Sequence, residues 1–276
     1  MRARFACCTP YSIMILILSM GLGVLVRVGI ALSVVGLLAG CTAQVPPEPR
    51  VDASRVPDPA VRQELLAAIP DMADGAYAFR ISGPGAPVAG VFSDLDSVMQ
   101  VTQERTLPGR DLRMTVTARR VGSPVWVRVA LEPASWHRRL GVPTGWTAID
   151  QNRLPAERLF PVLVDSDGGD VAEIRDTVKF ATEVWQAAPG RFTGTVDLRT
   201  VDRTDSIVPR DVVDRLGERA AEVSFEVTVT DGVVSGMTVT LPDGAVYRVE
   251  YSGFGSTTVP GKINAGRAPK SVYALL

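Results

Sequence analysis

Apolar and polar residues alternate one for one through much of the chain, the signature of strands with one buried face. Tyr77, Phe79 and Ile81 fall on one side of a first run. Leu112, Met114 and Val116 alternate with Arg113, Thr115 and Thr117, and Val125, Val127, Val129 and Leu131 follow across a Gly122-Ser123-Pro124 turn. The C-terminal third is the clearest. Phe192, Gly194, Val196 and Leu198 form one run, and Val223, Phe225, Val227 and Val229 another. Asp231-Gly232 then supplies a two-residue hairpin turn. Met237, Val239 and Leu241 return, Asp243-Gly244 turns again, and Tyr247, Val249 and Tyr251 close a meander.

Helical spacing is rarer. Asp58 and Pro59 read as the cap and first position of a helix with Val61, Leu65, Leu66 and Ile69 on one face, ended by Pro70. A second helix is expected around Pro209–Arg219, with Val212, Val213 and Leu216 inward. Residues 170–187 fit two patterns: Ile174, Val178, Ala181 and Trp185 have helical spacing, whereas Val178, Phe180 and Val184 also suit a strand. The pattern predicts an α+β fold, with adjacent antiparallel strands forming a curved sheet whose apolar face the few helices cover only in part. Such a concavity is either a tight core or a pocket.

The first forty residues differ from the rest. They hold no Asp or Glu, and 11–40 is apolar apart from Arg27 and a few small polar residues. The run 28–40 has the length of a signal-peptide core and is too short to cross a bilayer interior of roughly 30 Å. It ends Leu38-Ala39-Gly40-Cys41, which resembles the lipobox of bacterial lipoproteins. That resemblance implies a diacylglyceryl thioether on Cys41, a possible N-acyl group after cleavage, and a protein held at the extracytoplasmic face of the cell membrane. Two acyl chains, at about 0.8 kcal/mol per buried CH₂, anchor stably. Against this stands a single uncleaved helix over 11–40, and translation starting at Met1 or at Met20 fits the sequence equally. The division expected is a leader over 1–40, a lipidated cysteine with a proline-rich tether over 41–57, and one domain over 58–276.

Charge and chemistry narrow the function. With Arg2, Arg4 and Arg27 in the leader, the 29 basic residues fall to 26 against 30 acidic, a balance of −4. That argues against nucleic acid as a partner and against electrostatic attraction to an anionic membrane. The body after Cys41 has no cysteine, hence no disulfide. His137 is the single histidine, set in Trp136-His137-Arg138-Arg139, which excludes the common zinc sites and leaves one base for any serine triad. The acidic stretch Asp165–Asp170 has Asp170 and Asp176 where a calcium loop needs glycine and glutamate, and so reads as a solvated turn. No metal, cofactor or catalytic constellation is expected, and the chain reads as non-enzymatic. Trp126, Trp136, Trp146 and Trp185 suit either a ligand cavity or ordinary packing.

The order of Phe192–Leu198, Arg215-Leu216-Gly217, Val223–Val227, Asp231-Gly232, Tyr251–Gly255 and the ending Ser271–Leu276 resembles the LppX/LprG-type actinobacterial lipoproteins, whose fold is similar to the LolA/LolB lipoprotein carriers. The likeness is best over 190–276 and weaker over 75–150. The segment Gln186–Arg191 departs from the pattern, where relatives have a glycine turn followed by Thr and Tyr. The resemblance implies a half-barrel: a strongly curved antiparallel sheet with helices on its concave side, enclosing a cavity for acyl chains. Its lining would come from Tyr77, Phe79, Met114, Val127, Phe192, Phe225, Val227, Met237, Val239, Tyr247 and Val249. The function implied is lipid binding or transport. The same fold with a filled core would instead make a membrane-tethered interaction module, and no protein partner can be named from the sequence.

Overall fold

The structure, a computed structural model, describes residues 58–107, 111–154, 170–201 and 207–276. The leader, Cys41, the tether up to residue 57 and residues 165–169 of the acidic stretch lie outside the described residues. The described residues belong to one compact unit. Helix α1 (Pro59–Ala67) starts where the sequence places it. The Asp58 carboxylate accepts the Ala60 amide at 2.8 Å, and Pro59 occupies a position whose N–H would have no helical partner.

Six strands follow: β1 (Tyr77–Ser82), β2 (Val88–Ser93), β3 (Val98–Thr106), β4 (Arg113–Val121), β5 (Val125–Glu132) and, after helix α2 (Ser135–Leu140), β6 (Thr147–Ile149). Helix α3 (Ile174–Lys179) leads into β7 (Ala181–Ala188) and β8 (Arg191–Val196). Helix α4 (Arg210–Leu216) precedes β9 (Val223–Thr230), β10 (Val233–Thr240) and β11 (Val246–Ser252), and the short α5 (Lys270–Tyr273) closes the chain. All eleven strands join one sheet in the order β6-β5-β4-β3-β2-β1-β11-β10-β9-β8-β7. Every pairing is antiparallel, as expected for meanders linked by short turns. Two meanders, β1–β6 and β7–β11, therefore meet at the β1–β11 seam. Strands β6 and β7 end on opposite edges, so the sheet is not closed into a barrel.

The two patterns seen in 170–187 are both real and occur in succession. Ile174 and Val178 are buried on α3, then Ala181 and Val184 on β7. The helix expected to reach Arg219 is shorter. Gly217, at φ +56°, ends α4, and the chain tightens into a 3-10 turn to Ala221. Strand β8 stops at Val196, and Leu198 instead bonds its amide to the Ala220 carbonyl. At the Asp231-Gly232 hairpin both residues have positive φ, +53° and +86°, which the twist of a tight hairpin demands.

Strands β2 and β3 have no clean sequence signal. The first carries Gly90 in its middle, and the second passes from Val101 into Gln103, Glu104 and Arg105. Their neighbours supply the order that local propensity does not.

Candidate functional site

Alternation places one side chain in two on a common face, and cross-strand register aligns those side chains into rows. One row runs Phe192, Val227, Met237, Val249, Ile81 and Val88 across β8, β9, β10, β11, β1 and β2. Another runs Val184, Gly194, Phe225, Val239 and Tyr247. A third links Tyr251, Phe79, Gly90, Val101, Ala118 and Val127 through the seam into the N-terminal half. The eleven residues singled out from the sequence, Met114 of β4 among them, all lie on this face. Each is between 0 % and 7 % exposed, and all belong to a single apolar cluster.

Sequence reasoning missed a second set of contributors to that cluster. Met99 and Val101 come from β3, Val171 and Ala172 from the approach to α3, and Val208, Ala220 and Val272 from the C-terminal connections. The loop and short-helix residues escape because they carry no periodic signal, and β3 because its apolar start gives way to Gln103, Glu104 and Arg105.

Two aromatic rings lie flat on the sheet because a glycine sits opposite each. A methyl group on Gly90 would stand 2.5 Å from the Phe79 ring and 2.3 Å from the Gln100 carbonyl oxygen. The same test at Gly194 gives 2.4 Å both to the Phe225 ring and to the Glu183 carbonyl. These glycines are required by close approach. They let the rings cover backbone rather than project from it.

At the seam the apolar face carries a polar knot. Asp170, 7 % exposed, accepts the Arg175 amide on Oδ2 at 2.6 Å, while its Oδ1 has no hydrogen-bond partner. The Tyr251 hydroxyl faces this carboxylate, is buried, and likewise has no bond of proper geometry. Tyr77 stacks at 5.4–5.5 Å with Phe92, Tyr251 and Phe254, and its hydroxyl lies against the Val171 backbone. Loss of solvation pushes the Asp170 carboxyl above the ordinary carboxylate range, against the pull of the amides of Arg175, Ile174 and Ala172. Burial, then the charge of Asp170, drives both tyrosines upward, so they stay neutral phenols. The knot fastens the approach to α3 onto β1 and β11.

His137 is committed to backbone. Its Nε2 accepts the Leu131 amide at 3.1 Å, and its Nδ1 lies 3.0 Å from the Val142 carbonyl, so it ties α2 to β5. The tryptophans divide. Trp136 packs against the main cluster, whereas Trp126 and Trp146 sit on the opposite face, in a smaller cluster with Val98, Val121, Val259, Ile263 and Ala265. Among the described residues no group of three or more His, Cys, Asp or Glu side chains is placed to hold a metal ion. No helix among the described residues is long and apolar enough to cross a membrane.

Compared with known proteins, the chain matches no protein-family model and no curated sequence.

Proposed function

We propose that this chain is a cell-envelope lipoprotein, tethered to the extracytoplasmic face of the membrane through a diacylglyceryl-modified Cys41, whose domain binds the acyl chains of a lipid without catalysing a reaction. One observation carries the reading: an unclosed antiparallel sheet presents an apolar face from β8 through the seam to β5. In this reading the sheet is a half-barrel with helices on its concave side, as in the LppX/LprG-type lipoproteins that the sequence resembles. An acyl chain inserted along the rows would gain about 25 cal/mol per Å² of apolar surface removed from water, with no charged clamp needed. The polar head would stay outside.

The lining side chains are already nearly inaccessible, so entry requires the covering segments to part. The same burial favours a second reading, a tethered interaction module whose core is filled for good. Titration of the full-length protein with a fluorescent fatty acid separates the two. The carrier reading expects saturable binding that weakens at least tenfold in Val239→Trp, which places an indole among the rows. Absence of saturable binding supports the filled module. Metabolic labelling with a palmitate analogue tests the anchor independently, since Cys41→Ala should abolish it.

A further inference from the structure

The balance of −4 after residue 40 hides a local concentration of positive charge on the face of the sheet opposite the apolar cluster. Register places Gln100, Arg119, Trp126 and Ala148 in one row on that face, with Thr102, Thr117 and Arg128 in the next. Irregular chain after β11 lies against it. The Gly261 carbonyl accepts Arg119 Nη1 at 2.8 Å, Val259, Ile263 and Ala265 pack on Trp126 and Trp146, and Arg267 forms a parallel bridge to Ala148 of β6. Residues 252–276 contain Lys262, Arg267 and Lys270 and no acidic residue, and 133–149 contain none either.

The arginines at the centre are held in place and left unneutralised. Arg119 gives Nε and Nη2 to the Gln100 side-chain oxygen at 2.9 and 2.7 Å, so among the described residues its hydrogen-bond partners are all neutral oxygens. Its carbon Cζ lies 4.9 Å from the Trp146 ring centroid, and that of Arg128 lies 5.3 Å away. Arg119, Arg128, Lys262 and Arg267 make no ion pair among the described residues. The nearest carboxylates on these strands, Glu104 and Glu132, are engaged by Arg113. Asp150 is turned into its own loop, where it accepts the Asn152 amide. On the same face of the C-terminal half the cations are paired, Arg191 with Glu226 and Arg248 with Glu250. Four unpaired cations flanking a partly buried indole form a broad surface, complementary to a sheet of negative charge with an apolar boundary.

We propose that the Arg119–Arg128–Trp146 surface, extended by Lys262 and Arg267, docks the domain onto an anionic lipid bilayer. This rests on the anchoring of Cys41 under Proposed function for its choice of partner. The sixteen residues 42–57 reach at most roughly 55 Å, which keeps the domain within range of the bilayer it is tethered to. Arginine heads then meet phosphate oxygens, and the indole sits at headgroup depth, where aromatic rings with a polar N–H are favoured. Docking by this surface would leave the opposite, apolar face of the sheet turned away from the membrane.

The test uses the full-length protein with vesicles of phosphatidylcholine alone or mixed with phosphatidylglycerol, the lipids carrying a headgroup nitroxide quencher. Flotation with neutral vesicles reports the anchor, and the difference between anionic and neutral vesicles reports the patch, so failure of one does not mimic failure of the other. Tryptophan emission should be quenched only on anionic vesicles, and the signal should vanish in Trp146→Phe. It should also be lost at about 0.5 M NaCl, where screening reaches within a few ångströms. Removing two cations should weaken the interaction roughly 30-fold. Arg128→Gln/Lys262→Gln is the variant for this, because neither side chain makes a hydrogen bond that supports the fold, and Arg119→Gln is the second. Equal quenching on neutral vesicles, or no change in the double variant, would overturn the proposal. So would tight binding of soluble polyphosphate by a protein that ignores anionic vesicles.

Discussion

The two halves of the sheet share one apolar face and differ on the other. In the C-terminal half the second face is wet: Ser224, Glu226 and Thr228 of β9 and Arg248 and Glu250 of β11 are exposed, and burial alternates strictly. In the N-terminal half that face is partly covered by the chain after β11, which packs on the buried Val98, Val121 and Trp126. The period-two signal therefore persists where one face meets water and blurs where both are covered. The difference also accounts for the local chemistry. A wet face pairs its charges, whereas beside the covering segment Arg119 is held by carbonyl and amide oxygens.

Truncating the shared core gives the largest effect and measures how far the halves differ. Phe225→Ala should cost about 4 kcal/mol in chemical denaturation, because the ring is fully enclosed and covers Gly194. Trp126→Ala, on the thinner second cluster, should cost about half as much despite removing a larger ring. Equal losses would show that both faces are cored alike. A smaller effect, about 1–2 kcal/mol, is expected of Ile263→Asp, which puts a charge beneath the covering segment. Hydrogen exchange should then accelerate at the Ala148 and Ala268 amides that hold this segment to β6, while β9–β11 stay protected. Uniform acceleration across the sheet would erase the distinction.

Much of this was legible in the chain, and its limits have physical causes. The α1 cap, both Asp-Gly turns and the strands from Phe192 onward follow from alternation and turn chemistry. Tyr77, Phe225 and Met237 were identifiable as inward residues on parity alone. What alternation could not supply was the cover on the second face, since the segment 253–268 has no regular period and acts through contacts more than a hundred residues away in sequence. The buried carboxylate of Asp170 was equally hidden. In an acidic stretch of the sequence it reads as solvated, and only the seam between β1 and β11 gives it two phenol neighbours.

That carboxylate gives the smallest of the expected effects. Its affinity for a proton is higher in the folded chain than in the unfolded one, so folding takes up protons as the group titrates. The contribution is complete below the unfolded value of about 3.9 and is lost as pH rises through the raised folded value. Asp170→Asn, which can still accept the Arg175 amide, should flatten stability across that acidic window and leave the protein at least as stable at neutral pH. A marked loss of stability at pH 7 would mean that the ionised form is what the seam requires.

Native mass spectrometry of the full-length protein, extracted gently from membranes, tests the acyl-lipid reading most directly. The account predicts a noncovalent adduct of lipid mass that departs on denaturation, in addition to the permanent mass of the modified Cys41. Recovery of the protein always free of any such adduct, under conditions that preserve other lipid complexes, would contradict it.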